Sequence, residues 1–186
     1  FGSLRAGGRG IVMAIFAYPT KALSRDQLPK IKELAEPLGV RAAVLDGDTP
    51  EAERRLVLES PPDIIVTNFD VLHYHMMHRT RFSRTVRTAR FLVVDEAHVY
   101  TGVFGANVHH IIARLERLAG RKMQLVAASA TLPNSGEFCQ ALFGRKMEVV
   151  QGRGRRGRIN LAIIFPSLRS HRSLACGARR RRSGLG

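Results

Sequence analysis

A run of four apolar residues, Phe91 to Val94, leads directly into two acidic residues, Asp95 and Glu96, and His98 follows two positions later. The run has no polar alternation, which is typical of a strand covered by helices on both faces of a parallel sheet. Such sheets bind their ligands at the carboxyl ends of the strands. The acidic pair is therefore predicted to lie at the ligand-binding edge of an α/β domain.

Two carboxylates at that edge suit a magnesium-bound nucleotide. One acid can hold the metal, and the other can orient and deprotonate the attacking water. Asp-Glu pairs are also common at solvated helix starts, so the pair alone leaves both interpretations open.

Apolar runs that predict strands alternate with longer segments that predict helices, through residue 151. The predicted strands cover residues 11–17, 40–45, 63–66, 91–94, 125–128 and 147–150. Residues 51–58 and 69–77 are predicted to be helical, as are segments that begin at Phe104 and Asn134. Helix-length connections imply crossovers, and hence a doubly wound, mainly parallel sheet.

The first predicted helix has a capping box at its start, formed by Ser24 and Gln27. Gly39 is predicted to end it. Its apolar side chains follow the helical period and should face the core: Leu28, Ile31, Leu34, Ala35 and Leu38.

The net charge of +15 is concentrated near the end of the chain. Residues 1–151 hold 20 Lys and Arg against 15 Asp and Glu, whereas residues 152–186 hold 10 Arg and no acid. A tail of this composition binds polyanions without sequence preference. We therefore expect residues 1–151 to form the folded domain and residues 152–186 to begin with a basic linker.

No apolar run approaches membrane-spanning length, and no leader precedes a cleavage site. Two cysteines, Cys139 and Cys176, offer neither a disulfide framework nor paired zinc spacing. These features predict a reducing, cytoplasmic compartment. The first residue is Phe1 rather than Met, which indicates a fragment.

Three further polar segments follow predicted strands. Tyr18-Pro19-Thr20-Lys21 offers a hydroxyl, backbone amides at a helix start and a lysine, all of which can hold phosphates. Thr67-Asn68 begins the next helix, where Asn68 is also a plain N-cap. Ser129-Ala130-Thr131 is a small hydroxyl triplet, common in turns. Each segment alone is weak evidence, but the ordered set is much stronger.

That ordered set resembles the first RecA-like lobe of superfamily 2 helicases, over about residues 11–174. Asp95-Glu96-Ala97-His98 matches the DEAH form of the Walker B motif, and Ser129-Ala130-Thr131 matches motif III. Motif Ia is matched by residues 18–23. The closest likeness is to an archaeal and bacterial DEAD/DEAH branch related to RecQ-like repair helicases, with a tyrosine and Gly-Val-Phe-Gly after the box, here residues 100–105.

The resemblance implies a role for each matching residue, with ATP and Mg²⁺ as cofactors. Asp95 would hold Mg²⁺ through water, Glu96 would activate the hydrolytic water, and His98 would link this site to motif III. Ser129, Ala130 and Thr131 would couple hydrolysis to strand movement. The backbone of one nucleic-acid strand, DNA rather than RNA, would lie on Pro19, Thr20, Lys21, Asp48, Thr49, Thr67 and Asn68.

The departures from the family pattern concern the remaining ATPase parts. No G-x-x-x-x-G-K-[ST] phosphate loop occurs in the sequence. The resemblance places that loop before Phe1, and it places a second RecA-like lobe with its arginine fingers after the linker. We therefore expect an incomplete P-loop NTPase lobe over residues 1–151, followed over 152–186 by a linker and the start of lobe 2 or a disordered tail. Alone, such a chain should have negligible ATPase activity.

Two alternatives stay open at this point. The chain could be a non-catalytic basic module that binds nucleic acid through its arginine-rich tail. It could also belong to a different DEAH-type motor, such as a restriction translocase or an RNA helicase. For the helicase hypothesis we expect a prokaryotic, nucleoid-associated protein with no membrane partner.

Overall fold

The computed structural model describes residues 11–130, 132 and 134–150. Within them, the strands are β1 (Ala14–Ala17), β2 (Ala42–Val44), β3 (Ile64–Thr67), β4 (Phe91–Val94) and β5 (Gln124–Ala127). The helices are α1 (Lys21–Ala35), α2 (Glu51–Glu59), α3 (Phe69–Met77), α4 (Arg81–Val86), α5 (Gly102–Ala119) and α6 (Ser135–Phe143). Short 3₁₀ helices cover Glu36–Leu38 and Ala97–Val99.

The strands form one sheet in the order β2-β3-β1-β4-β5, and every neighbouring pair is parallel. Parallel pairing requires a crossover after each strand, and the helices supply these crossovers. All four residues of β3 are buried, as expected for an apolar run without polar alternation. The predicted α/β, doubly wound, parallel fold is confirmed.

Successive residues of each strand point to opposite faces of the sheet, so two apolar layers form. On one face, α1 packs against β2 and β3, with a core built from Ala14, Ala35, Val40, Ala42, Ile64 and Val66. The larger core includes side chains of the sheet, α3, α4 and α5, among them Ile15, Ile65, Leu92, Leu72, Phe82, Val108 and Leu115. These layers hold the carboxyl ends of the strands in fixed positions.

Helix α1 begins one turn earlier than the predicted capping box of Ser24 and Gln27, and that prediction is wrong. Thr20 is the N-cap, and its hydroxyl accepts a hydrogen bond from the Leu23 amide at 3.2 Å. Ser24 is fully buried inside the helix, and its hydroxyl lies 3.1 Å from the Thr20 carbonyl and 3.4 Å from that of Thr67. Thr20 is the N-cap because α1 begins soon after β1 ends, before the chain reaches Ser24.

The end of the same helix region agrees better with the sequence. Gly39 adopts the left-handed conformation, with φ of 69°, just after the 3₁₀ turn. Ala35 is buried as predicted, but Leu34 and Leu38 are exposed at 66% and 56%. At the end of this helix region, Ala35 therefore still packs on the sheet, whereas Leu34 and Leu38 do not.

The predicted strand at residues 147–150 is absent from the described part, where none of the five strands pairs with it. An apolar run becomes a strand only when another strand accepts its hydrogen bonds. Helix α4 was not predicted, because its six residues are too few to show a periodic pattern. Residues 152–186, expected to hold the basic linker, lie outside the described residues.

No helix in the described ranges is long and apolar enough to cross a membrane.

Candidate functional site

Parallel strands bring their carboxyl ends to one edge of the sheet, and the predicted site residues follow these ends. Pro19, Thr20 and Lys21 follow β1, and Asp48 and Thr49 follow β2. Thr67 ends β3 and Asn68 follows it, while the acidic box follows β4, and Ser129 and Ala130 follow β5. Thr131 lies outside the described residues. The structure thus places the sequence-predicted residues that it describes at the same edge.

The acidic box is held by backbone hydrogen bonds to both neighbouring strands. The Asp95 amide donates to the Ala17 carbonyl at 3.0 Å, and the Ala97 amide donates to that of Ala128 at 2.9 Å. Between them, Glu96 adopts a left-handed conformation, with φ of 50° and ψ of 43°. This conformation costs a non-glycine residue about 1–2 kcal/mol, so the flanking hydrogen bonds must hold the turn.

His98 joins the acidic box to the loop after β5. Its Nδ1 lies 3.3 Å from Glu96 Oε2 and 3.2 Å from Ser129 Oγ. All three side chains retain access to solvent. A change in the position of Glu96 can therefore reach Ser129 through a single side chain.

Two buried tyrosines lie near the charge of Asp95. Burial first, and then the negative charge of Asp95, raises the pKa of Tyr18 to about 12. The pKa of Tyr100 is raised for the same two reasons, with a smaller effect from Asp70. Both phenols therefore remain neutral at physiological pH. The Tyr100 hydroxyl is buried and has no hydrogen-bond partner among the described residues, while its ring packs edge-on against Phe69.

The loop after β1 presents Lys21 to solvent. Lys21 Nζ forms an ion pair with Asp48 Oδ1 at 2.8 Å, and both side chains are about half exposed. Exposed pairs of this kind contribute little to stability, so a competing anion can replace the carboxylate. Thr20 caps α1 in the same loop, so amides at the start of α1 lie beside Lys21.

Three other predicted contact residues are committed to internal hydrogen bonds. The Thr67 hydroxyl donates to the Leu45 carbonyl at 2.7 Å, and Asn68 Oδ1 accepts from the Val71 amide at 2.9 Å. Thr49 Oγ1 accepts from the Asp46 amide at 2.8 Å. All three residues are buried. The three buried residues therefore shape this edge. Thr20, Lys21 and Asp48, in contrast, expose their polar side chains to solvent.

A buried carboxylate that sequence reasoning did not single out organises the loop after β2. Asp46 is fully buried and accepts both arms of the Arg25 guanidinium, at 2.8 and 2.9 Å. It also accepts the Asp48 amide at 2.9 Å and the Thr49 hydroxyl at 3.1 Å. The Arg25 hydrogen bonds outweigh burial and lower the pKa of Asp46 to about 2.

Arg54 holds the same loop from the other side. Its Nη2 donates to the Asp46 and Thr49 carbonyls at 3.1 and 3.4 Å, and its Nη1 lies 3.4 Å from His75 Nε2. The two arginines that hold this loop, Arg25 and Arg54, come from α1 and α2.

The residues at this edge fit a hydrated Mg²⁺. Asp95 Oδ1 accepts only the Glu96 amide among the described residues, at 2.9 Å. Carboxylate oxygens are the ligands that Mg²⁺ prefers, with water completing the shell. The described residues hold no cluster of three or more His, Cys, Asp or Glu side chains, so waters and phosphates would supply the other ligands. The phosphate loop itself is not in this sequence.

The parallel sheet, the acids at the end of β4 and the His98 link to the next loop define a RecA-like lobe of a nucleotide-dependent motor. The family model described as DEAD/DEAH box helicase matches residues 6–138. The chain therefore belongs to the DEAD/DEAH box helicase family, and the resemblance inferred from its motifs is confirmed.

Curated relatives are much longer than this chain. The uncharacterized ATP-dependent helicase YprA of Bacillus subtilis is 34% identical over 162 residues, which cover 83% of this chain and 22% of YprA. The uncharacterized ATP-dependent helicase MJ1574 of Methanocaldococcus jannaschii is 36% identical over 163 residues, 82% of this chain and 24% of that protein. The chain therefore spans less than a quarter of either relative.

A crystal structure of the DUF1998 helicase MrfA bound to DNA and AMPPNP shares the fold. It is 33% identical, with a TM-score of 0.69, over 77% of this chain and 21% of the MrfA chain. The structure of Mss116p bound to ssRNA and AMP-PNP, at 18% identity and a TM-score of 0.58, supports the fold alone.

Proposed function

We propose that this chain is part of the ATP-hydrolysing lobe of a nucleic-acid translocase, and that DNA is its preferred substrate. The observation that carries the proposal is the contact of His98 with both Glu96 and Ser129, which joins the hydrolytic acid to the neighbouring loop. The names of the relatives support ATP as the nucleotide, and the DNA in the MrfA structure supports the substrate. We place this protein in a prokaryotic cytoplasm, beside the nucleoid, because a DNA substrate is found there.

Each residue of the acidic box has a defined task in this proposal. Asp95 would hold Mg²⁺ through a water molecule, and Glu96 would orient and deprotonate the attacking water. Bound Mg-ATP supplies the γ-phosphoryl group and the metal charge that stabilises the leaving phosphate. His98 then passes the change at Glu96 to Ser129. Tyr18 remains a neutral phenol beside Asp95 because its pKa is raised to about 12.

The other half of the edge holds one nucleic-acid strand. A phosphate replaces Asp48 beside Lys21, and amides at the start of α1 add hydrogen bonds to the same anion. Such contacts go to the backbone and carry no sequence information, which suits a translocating protein. Thr49, Thr67 and Asn68 contribute by shaping the surface.

We expect the chain alone to hydrolyse ATP no faster than its Glu96→Gln variant. Hydrolysis requires a phosphate-loop lysine and arginine fingers to act together with Glu96, and the proposal assigns the fingers to a second lobe of the same protein. A phosphate-release assay with and without single-stranded DNA measures this. Nucleic-acid-stimulated hydrolysis that Glu96→Gln abolishes would show that the chain is catalytically complete.

Lys21→Ala should weaken binding of single-stranded DNA about fivefold, since one phosphate contact is worth about 1 kcal/mol at low salt. Fluorescence anisotropy with a labelled oligonucleotide measures the dissociation constant. Lys30→Ala is the matched control, because Lys30 is also exposed on α1 and paired with an aspartate, Asp26, at 3.0 Å.

Equal effects of the two lysine substitutions would contradict a strand site at Lys21. The alternative of a basic binding module makes the opposite prediction. If the chain is a basic binding module, deletion of residues 152–186 removes DNA binding and its salt dependence, while Lys21→Ala changes the affinity little.

A further inference from the structure

The chain around α4 exposes an arginine at every third position. Arg81, Arg84, Arg87 and Arg90 are exposed. The positions between them point inward, with Phe82, Ser83, Val86 and Ala89 buried. In a helix, residues three apart are neighbours, so Arg81, Arg84 and Arg87 follow one another along α4 and its C-cap, and Arg90 lies beyond the helix just before β4. We call these four residues the arginine stripe.

The charge of the arginine stripe is not neutralised within the described part of the chain. None of its four guanidinium groups forms an ion pair or a side-chain hydrogen bond with a described residue, whereas Arg25 and Arg54 do both. No acidic residue occurs between Asp70 and Asp95. Helix α2 packs beside α4 and carries Glu51, Glu53 and Glu59, yet none of these carboxylates forms an ion pair with the stripe.

The arginine stripe lies away from the edge that holds the acidic box. Arg90 immediately precedes β4, and its carbonyl accepts a hydrogen bond from the Gln124 amide at the start of β5. Thr88 is hydrogen-bonded to both the amide and the carbonyl of Val12, just before β1. The end of the stripe therefore borders the amino edge of the sheet. The length of a four-residue strand, on the order of 10 Å, separates the two edges.

We propose that the arginine stripe is a second binding surface for a nucleic-acid backbone, beyond the strand site at Lys21. Guanidinium groups match phosphate oxygens through paired N–H donors, and a regular row of them follows a repeating anion. Contacts of this kind go to phosphate oxygens, and they carry no sequence information. A nucleic-acid strand or duplex bound to the arginine stripe stays on the lobe while the contacts around Lys21, at the opposite edge, break and form again.

An acidic protein segment is the competing partner, and the surface suits it less. Protein interfaces need buried aromatic or aliphatic anchors at their centre. In residues 79–90 every fully exposed residue is an arginine, and the partly exposed ones are threonines. A surface of charge without apolar anchors fits a polyanion such as a phosphate backbone.

The test is the variant Arg81→Gln/Arg84→Gln/Arg87→Gln in the full 186-residue chain. The control, Lys30→Gln/Arg117→Gln/Lys146→Gln, removes the same charge at three separated exposed positions. Anisotropy titrations over a range of salt concentrations give the slope of log K against log salt for single-stranded and duplex DNA. Residues 152–186 contribute equally to both variants, so the difference belongs to the stripe.

We expect the stripe variant to lower the slope by about 2 for single strands and about 3 for duplex, since each lost phosphate contact removes 0.7–0.9. Affinity at low salt should fall about a hundredfold, since three contacts of about 1 kcal/mol each are lost, against less than threefold for the control. Thermal melting checks that both variants fold, because all six side chains are exposed.

Slopes and affinities of the stripe variant equal to those of the control overturn the proposal. So does an unchanged DNA slope together with lost binding of polyglutamate, which assigns the surface to an acidic protein segment. The outcome is separable from the strand site, because Lys21→Ala probes the opposite edge. If Lys21→Ala has no effect and the stripe variant still loses slope, the failure belongs to the proposed strand site.

Discussion

The two halves of the carboxyl edge are built in different ways. In the half formed by β1, β2 and β3, buried side chains hold the loops, and Asp46 alone accepts four hydrogen bonds. In the half formed by β4 and β5, the backbone holds the loops, and Ser129 and Ala130 are exposed. We call the first the strand-binding half and the second the catalytic half, after the functions proposed for them. Side-chain hydrogen bonds fix the loops of the strand-binding half, whereas the loops of the catalytic half are held by backbone hydrogen bonds.

The burial of the strands shows the same contrast. Every residue of β3 is buried, whereas β5 alternates exposed and half-exposed residues, and Val126 is 46% exposed. Leu125 and Ala127 pack against the larger core, but the opposite face of β5 is exposed, which is unusual because parallel sheets are normally covered on both sides. The contrast predicts that substitutions in the two halves will differ in their effect on stability.

The largest effect is expected for Asp46→Ala. The substitution leaves Arg25 and two loop donors without their acceptor, and it should lower the free energy of unfolding by about 2–3 kcal/mol. The half-exposed Arg25 can regain water, which keeps the loss below that of a fully buried pair. Urea denaturation followed by circular dichroism measures the change.

Ser129→Ala is the matched substitution in the catalytic half. Ser129 is exposed, and His98 is the only described residue to which its hydroxyl is hydrogen-bonded, so the change should stay within about 0.5 kcal/mol. Similar losses in the free energy of unfolding for Asp46→Ala and Ser129→Ala would contradict the contrast between the halves. A loss for Asp46→Ala larger than the one expected would strengthen it.

Gly105 is expected to be an exception to the contrast, because its substitution should cost more stability than Ser129→Ala although both residues lie in the catalytic half. A Cβ there would overlap the Tyr100 carbonyl, whose carbon would lie 2.9 Å away. Gly105→Ala should therefore lower stability by about 1–3 kcal/mol, because the start of α5 must move. The melting temperature, measured by differential scanning fluorimetry, reports the loss.

The control for Gly105 is Gly136→Ala in α6, where a new Cβ meets no atom within 4 Å. Alanine is the better helix former, so this variant should be neutral or more stable by up to about 1 kcal/mol. If Gly105→Ala is as stable as Gly136→Ala, the Tyr100 to Gly105 segment is as adaptable as the rest of the catalytic half.

Much of the fold could be predicted from local signals. The apolar run of β4, the bounds of α3 and the Asn68 cap are all set by residues adjacent in sequence, and they are found as expected. The position of the acidic box follows from the same logic, since a parallel strand delivers whatever follows it to the carboxyl edge. The ordered motifs then indicated the helicase family, which the family match confirms.

The features that could not be predicted depend on residues distant in sequence. Arg25 and Asp46 are 21 positions apart, and neither sequence segment indicates that the two side chains form an ion pair. The start of α1 was decided between two competing caps, Thr20 and Ser24, by where β1 ends. The run at residues 147–150 has strand composition but no pairing partner among the described strands. The roles assigned to the site residues stay predictions.

At Glu96, the residue that would make the chain most stable differs from the residue that the proposed chemistry needs. Glycine would adopt its left-handed conformation freely, and asparagine nearly so, while glutamate bears a strain of about 1–2 kcal/mol. A library of this chain selected only for heat resistance would therefore drift away from glutamate here and lose the proposed general base without any sign of misfolding. The residue that suits the backbone at this position therefore differs from the residue that the proposed chemistry requires.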